Sequence, residues 1–258
     1  MKFKQKENVY NRTNYISQNS PVQKELLRLF QKNSKLLILD IGGCEGEESI
    51  RYSKLFPFSA IFIFEPIPAN QNLILENLKK FNIKNVQLIP AAVSNTSTVE
   101  YMYVSSGQPK IKENLDWDFG NKSSSLLVPH KDNNPKWLEF NEKIKVRTIT
   151  LDKFLREKRF KIIDFIHLDV QGAEIKVLIG AENFLNSTKA IWMEVANKEL
   201  YKNQPLRTDV EKFMLSKGFC LIKSKLLNEV GDQLYINKKY FKVFSLFGHF
   251  LIFLKKYN

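Results

Sequence analysis

Apolar stretches of strand length alternate along this chain with segments whose apolar residues recur at helical spacing. Strand-like runs fall at 36–41, 61–64, 86–94, 98–104, 144–149, 162–168 and 190–195, with a late pair at 219–223 and 233–237. Between them, Val22, Leu26, Leu29 and Phe30 share one face of a helix that starts at Pro21 and takes Ser20 as its cap. Leu73, Ile74, Leu78 and Phe81 do the same over 68–81, Ile175, Val177, Leu178 and Ile179 continue from a turn at Gly172, and a last helix covers 208–217. The helix after Gly172 ends near Gly180 or one turn later, through Phe184 and Leu185. Strands alternating with helices predict an α/β protein, with a seven-stranded, mostly parallel sheet, an antiparallel hairpin at its end and helices on both faces.

Three segments stand outside that rhythm. Residues 1–35 form an arm, loose over 1–20, followed by the first helix. The domain proper spans 36–238 and holds an irregular insertion at about 105–143, with Trp117, His130 and Trp137 at uneven spacing. It reads as a substrate-covering segment, with a disordered loop as the alternative. Residues 239–258 are apolar nearly all round for about 14 residues, too few to span a bilayer as a helix. Three readings fit them: packing on the domain or on a sister subunit, lying in a membrane interface with the lysines on anionic headgroups, or a mobile tail.

A length of 258 residues with 43% hydrophobic content suits one well-buried domain. The net charge of +13 changes little once it is located: 1–35 carries +6, 238–258 carries +5, and the body between them only +2. A nucleic-acid enzyme would set basic surface around its active site, so no nucleic acid partner is expected. Cys44 and Cys220 show neither disulfide nor metal spacing, and no apolar core follows the basic start at Met1 and Lys2. The expected location is the cytoplasm, with peripheral contact at the inner face of the membrane left open by the tail.

Chemistry concentrates at the strand ends. The first run closes on Asp40 and the turn Gly42, Gly43, Cys44, Glu45, Gly46, and the second closes on Glu65 and Pro66. The glycines let a ligand approach the backbone, and Glu65 can accept both hydroxyls of a ribose. A dinucleotide site would offer a helix N-terminus to a pyrophosphate, but Glu45, Glu47 and Glu48 crowd this one. They suit a cationic adenosyl ligand such as S-adenosylmethionine, the bland alternative being acids that favour a helix start. Ala91, Ala92, Val93 and Ser94 leave room for a flat ring, and Asp169 ends the central strand at the same crevice.

With these residues in view, the chain resembles the FkbM family of S-adenosylmethionine-dependent methyltransferases over about 36–237. The D-[IV]-G-A-N-x-G turn matches Asp40 to Gly46, F-E-P matches Phe64 to Pro66, and A-[VI]-[SG] matches Ala92 to Ser94. I-K-[IL]-D-[VI]-[QE]-G-x-E matches Ile166 to Glu174, and L-[YF]-[IV]-N matches Leu234 to Asn237. Two positions depart: the turn asparagine is Cys44, and the lysine before the aspartate is His167.

The resemblance implies a Rossmann-like class I methyltransferase fold and methyl transfer to a hydroxyl of a sugar, nucleotide-linked or in a glycan precursor, or of a similar small metabolite. It places donor binding on Asp40, Gly42, Gly43, Gly46, Glu65, Pro66, Ala92 and Ser94. The proton acceptor is Asp169, then His167, then Glu194. Acceptor contacts fall to Ser123, Ser124, Ser125 and His130, beside the tryptophans of the insertion. Asp169, Glu174 and Glu194 could hold a divalent metal, but the preferred reading has none, with Glu174 capping its helix and Glu194 salt-bridged. The reading from another class is a non-catalytic adenosyl-binding module with a membrane- or partner-docking tail.

Overall fold

In the computed structural model, which describes residues 12–109, 119–246 and 249–254, the apolar runs assemble into one central sheet. The strands are β1 (Leu37–Ile41), β2 (Ala60–Phe64), β3 (Val86–Ile89), β4 (Ala92–Val93), β5 (Val99–Ser106), β6 (Glu139–Ile149), β7 (Ile163–Leu168), β8 (Thr188–Ala196), β9 (Phe219–Leu227) and β10 (Val230–Asn237). Seven of them pair in the order β3-β2-β1-β7-β8-β10-β9. All neighbours are parallel except β10, which runs antiparallel to both β8 and β9. This is a Rossmann-like class I methyltransferase topology, with the hairpin where the pattern put it.

The strands are buried on both faces, which is why they read as continuous apolar runs rather than as alternations. Leu39, Ile41, Phe64 and Leu168 pack on α5 (Leu151–Glu157), α6 (Glu174–Ile179) and α8 (Arg207–Ser216). Ile38, Phe165 and Trp192 pack on α2 (Gln23–Leu29) and α3 (Glu47–Leu55). A third cluster joins Ile63 to Ile50 of α3 and to Ile74 and Leu78 of α4 (Pro68–Lys80). The helix after Gly172 stops at Ile179, and a separate turn, α7 (Glu182–Leu185), follows.

Several boundaries differ from the sequence pattern, each for a local reason. The run 86–94 is two strands, because Pro90 has no N–H to give a ladder and the Ala91 N–H bonds back to Ile89. Ala92 and Val93 then leave the main sheet and pair with Thr148 and Ile149 of β6, in a small sheet ordered β4-β6-β5. Ser20 does not cap the first helix: it is buried, its hydroxyl meets the Tyr52 hydroxyl at 3.4 Å, and α2 begins at Gln23. Within 1–20, α1 (Arg12–Ser17) is helical and buries Ile16 against Ile50 and Ile63, while residues 1–11 lie outside the described residues. The β5–β6 pairing reaches Ser106 and Glu139, so less of 105–143 is irregular; Trp117 lies outside the described residues. The tail forms a hairpin of β11 (Phe241–Leu246) and β12 (His249–Leu254), with Phe241 buried edge-on to Phe30, ring centroids 6.3 Å apart. Among the described residues no helix is long and apolar enough to cross a membrane.

The end of β10 is fastened by one buried amide. Asn237 donates to the carbonyls of Thr188 (3.0 Å) and Leu185 (3.4 Å) and accepts from the Lys239 N–H (2.9 Å). Asn237→Ala strands those groups in the interior. The expected loss in urea unfolding is about 2 to 3 kcal/mol with an unchanged m-value, and a loss under about 0.5 kcal/mol, the range of a neutral surface change, would show that the amide is not a fastening.

Candidate active site

The turn after β1 is built by conformation. Gly42 and Gly46 have φ of +86° and +81°, and Cys44 holds φ +46°, a left-handed value that costs a side-chain-bearing residue strain. A Cβ on Gly42 would sit 1.7 Å from the Asp169 carbonyl oxygen, so the turns after β1 and β7 touch backbone to backbone. Gly43 faces Ile63, and Gly46 sits at the start of α3 rather than in the crevice wall.

Strand register does the next step. Asp40 pairs with His167, and His167 with Trp192, so the three share the α3 face of the sheet. The Ser49 hydroxyl donates to Asp40 at 2.6 Å, and the Tyr52 hydroxyl lies 2.6 Å from His167 Nδ1. Burial lifts the Asp40 carboxyl to about 6, although His167 pulls it down. Burial works against the His167 cation, yet Asp40 and Glu48 outweigh it and raise its pKa.

Two chambers open at the carboxyl ends of the strands and share Gly42, Cys44, Lys122 and Asp169 in their walls. The first is apolar at one end, with Phe64, Ile67, Ala92 and Met102, and holds Glu65, Pro66 and Ser124. Glu65 accepts from the N–H groups of Cys44 (2.9 Å) and Ile67 (2.8 Å), and burial drives its carboxyl up to about 8. The second chamber gathers Asp40, Glu47, Glu48 and Asp232 beside His167 and Trp192.

Asp169 touches both. Its Oδ1 accepts from Gln171 Nε2 at 2.7 Å, and the same nitrogen donates to Glu194 at 2.8 Å. Asp169, Glu174 and Glu194 carry oxygens within 4.8 Å of one another, and burial raises all three, Glu174 to about 7. Glu174 spends one oxygen on the N–H groups of Val170 and Gly172, inside the turn before its helix. Glu194 has the Gln171 amide where a salt bridge was expected, and it lies outside both chamber walls.

Other expected contacts also move. Ser94 is fully buried, turns to Asn95 and lines neither chamber. Ser125 is buried and donates to the Gln171 carbonyl, and the Ser123 carbonyl accepts from Tyr201, so of the three serines only Ser124 reaches a chamber wall. His130 sits on a separate loop, where its backbone N–H bonds to the Leu200 carbonyl and its buried Nδ1 has no hydrogen-bond partner among the described residues. The residues the pattern missed are Asn121 and Lys122, in a 3-10 turn at Phe119–Ser123. Asn121 bonds Glu45 at 2.7 Å and meets the Cys44 sulfur at 3.5 Å, bringing an amide to the turn whose own asparagine is a cysteine. Lys122 pairs with Glu47.

Sheet order and the glycine turn after β1 are those of the Rossmann-like class of methyltransferases. The methyltransferase FkbM domain model matches residues 40–221. The 2-O-methyltransferase NoeI of Sinorhizobium fredii (strain NGR234) is 31% identical over 84% of this chain and 86% of its own length. Methyltransferase 1 of Beauveria bassiana is 26% identical over 57% and 58%. Among solved structures, the precorrin-6y C5,15-methyltransferase of Geobacter metallireducens aligns at 15% identity over 84% of this chain and 87% of that one, with a TM-score of 0.45. The chain belongs to the FkbM methyltransferase family.

The buried carboxyl of Glu65 leaves a signature in stability. Between about 4.5 and about 8 the native state holds a proton that the unfolded chain has released, so stability drops as pH rises through that window. The thermal midpoint of the ligand-free protein should fall across it, and less steeply in Glu65→Gln. Parallel slopes in the two proteins would refute the assignment.

Proposed function

We propose that the protein is an S-adenosylmethionine-dependent O-methyltransferase acting on a hydroxyl of a sugar or a similar small metabolite. The observation that carries this reading is the position of Asp169 in the wall common to both chambers. The first chamber fits an adenosyl group: ribose hydroxyls donating to Glu65 would relieve a buried carboxylate, and Phe64, Ile67, Ala92 and Met102 form a slot for a flat ring. Asp40, beside Gly42 and Gly43, is the acid for the donor's ammonium. When bound, the donor supplies a methyl group on a cationic sulfur.

The chain then has two tasks. It holds the acceptor oxygen in the second chamber, and it takes that oxygen's proton. Gln171 occupies Asp169 Oδ1, which orients the carboxylate and leaves Oδ2 for the proton. His167 acts through charge, favouring the ionised forms of Asp40 and Asp169. Glu194 is a positioning residue behind Gln171. The preferred reading has no divalent ion, because the Gln171 amide already bonds Asp169 and Glu194, two of the three carboxylates that could hold one.

The acceptor follows from charge. A diphosphate in the second chamber would face Glu47, Glu48 and Asp232 with one lysine in the wall, whereas sugar hydroxyls can donate to those carboxylates. An uncharged glycan hydroxyl is therefore favoured over a nucleotide-linked sugar. The 2-O-methyltransferase relative supports an oxygen acceptor.

Release of S-adenosylhomocysteine, measured against neutral oligosaccharides and nucleotide sugars, tests the reading. Turnover is expected with a neutral sugar, unchanged by EDTA, and Asp169→Asn should lower kcat roughly 10²- to 10⁴-fold with donor affinity retained. Wild-type turnover in Asp169→Asn would remove it as the base, and turnover restricted to nucleotide sugars would overturn the acceptor class.

A further inference from the structure

We infer that Lys122, from the insertion, reads the carboxylate at the amino-acid end of the methyl donor; the assignment rests on the donor reading above. Among the described residues, Lys122 is the one lysine or arginine in the wall of either chamber, and it stands in both. Around it are Asp40, Glu47, Glu48, Glu65, Asp169 and Asp232. Such a ring matches a sulfonium and an ammonium, but a donor's α-carboxylate entering it meets like charge on nearly every side. One cation must take that group, and Lys122 is the candidate.

Its present surroundings are already those of a carboxylate site. The ammonium pairs with a Glu47 oxygen and lies 5.1 Å from the centroid of the Tyr15 ring, with the side chain 28% exposed. Burial disfavours its charge, but Glu47 and the neighbouring groups overcome that and raise its pKa. Glu47 thus holds the position of a ligand carboxylate. Losing Lys122 would not leave Glu47 bare, because its other oxygen accepts from the Glu45 N–H at 3.2 Å and the charge of Arg51 also favours its ionised form. A ligand carboxylate would take the place that Glu47 now holds beside the lysine.

The glycine turn offers no side-chain rival for the task. Position 44 carries a thiol that burial keeps neutral, and its sulfur is directed at Asn121. Recognition that a longer polar side chain on the turn could supply passes here to the insertion. The neighbouring side chain, Asn121, pins the same 3-10 turn to Glu45, so Lys122 enters the crevice from a fixed base.

Calorimetry on the full chain separates this role from a structural one. S-adenosylmethionine and its decarboxylated analogue differ only in the carboxylate, and wild type should prefer the first by roughly tenfold or more. Lys122→Gln should erase that preference, while its affinity for the decarboxylated donor stays near the wild-type value. Lys122→Arg should keep the preference, and so should Glu47→Gln, which leaves the lysine in place. A preference that survives in Lys122→Gln, or an equal loss for both donors, overturns the assignment. Absence of heat with either donor in wild type overturns the donor reading beneath it.

Discussion

The site rests on a contact that no side chain makes. Gly42 lies with its missing Cβ against the Asp169 carbonyl, and the Asp169 N–H donates to the Ile41 carbonyl at 3.0 Å. Two adjacent parallel strands, β1 and β7, thus end in turns that press on each other through backbone alone. Because backbone cannot choose another rotamer, the spacing between the glycine turn and the Asp169 carboxylate is set by the sheet. Side chains from elsewhere then need only converge on it, as Ser49 does on Asp40, and Gln171 on Asp169 and Glu194.

Charge is the second constraint, and it works by position instead of total. Of the net +13, +11 falls in 1–35 and 238–258 of the sequence, while acids dominate the walls of the crevice. Several of these, Asp40, Glu65, Glu174 and Asp232, have carboxyls lifted by burial to between about 6 and about 8. Near neutral pH such groups share their protons, and an incoming cation shifts them towards the ionised form. Glu47 is the exception, held below its ordinary value because Lys122 and Arg51 outweigh its burial. A cationic ligand therefore stabilises the crevice by the same interaction through which the crevice selects it.

What the sequence made legible follows from range. The strands, the glycine turn, Glu65 and Asp169 were readable because buried parallel strands are apolar runs and their ends fall at the ligand crevice by topology. Ser94, Ser123 and Ser125 lie on segments beside the crevice but turn elsewhere, since rotation about a turn leaves no trace in residue spacing. Ser125 is spent on the Gln171 carbonyl, for example, while its neighbour Ser124 reaches the wall. α1 was hidden for a different reason. Its one buried apolar residue, Ile16, gives no period, and the helix is held by Arg51 bonding to the Tyr15 carbonyl and stacking on its ring 4.6 Å from the centroid.

The insertion shows how a departure in a motif can be answered at a distance. Read alone, cysteine at position 44 removes an amide from the glycine turn. Folded, the chain returns an amide to that place from residue 121, which bonds Glu45 and meets the Cys44 sulfur. The partner is 77 residues away in sequence, beyond any spacing rule. Its arrival depends on β5 and β6 pairing far enough to carry the 3-10 turn over the crevice. Turn and insertion are therefore one structural unit. A substitution at 44 changes what 121 must supply, and the strand register of β5 on β6 decides whether it can.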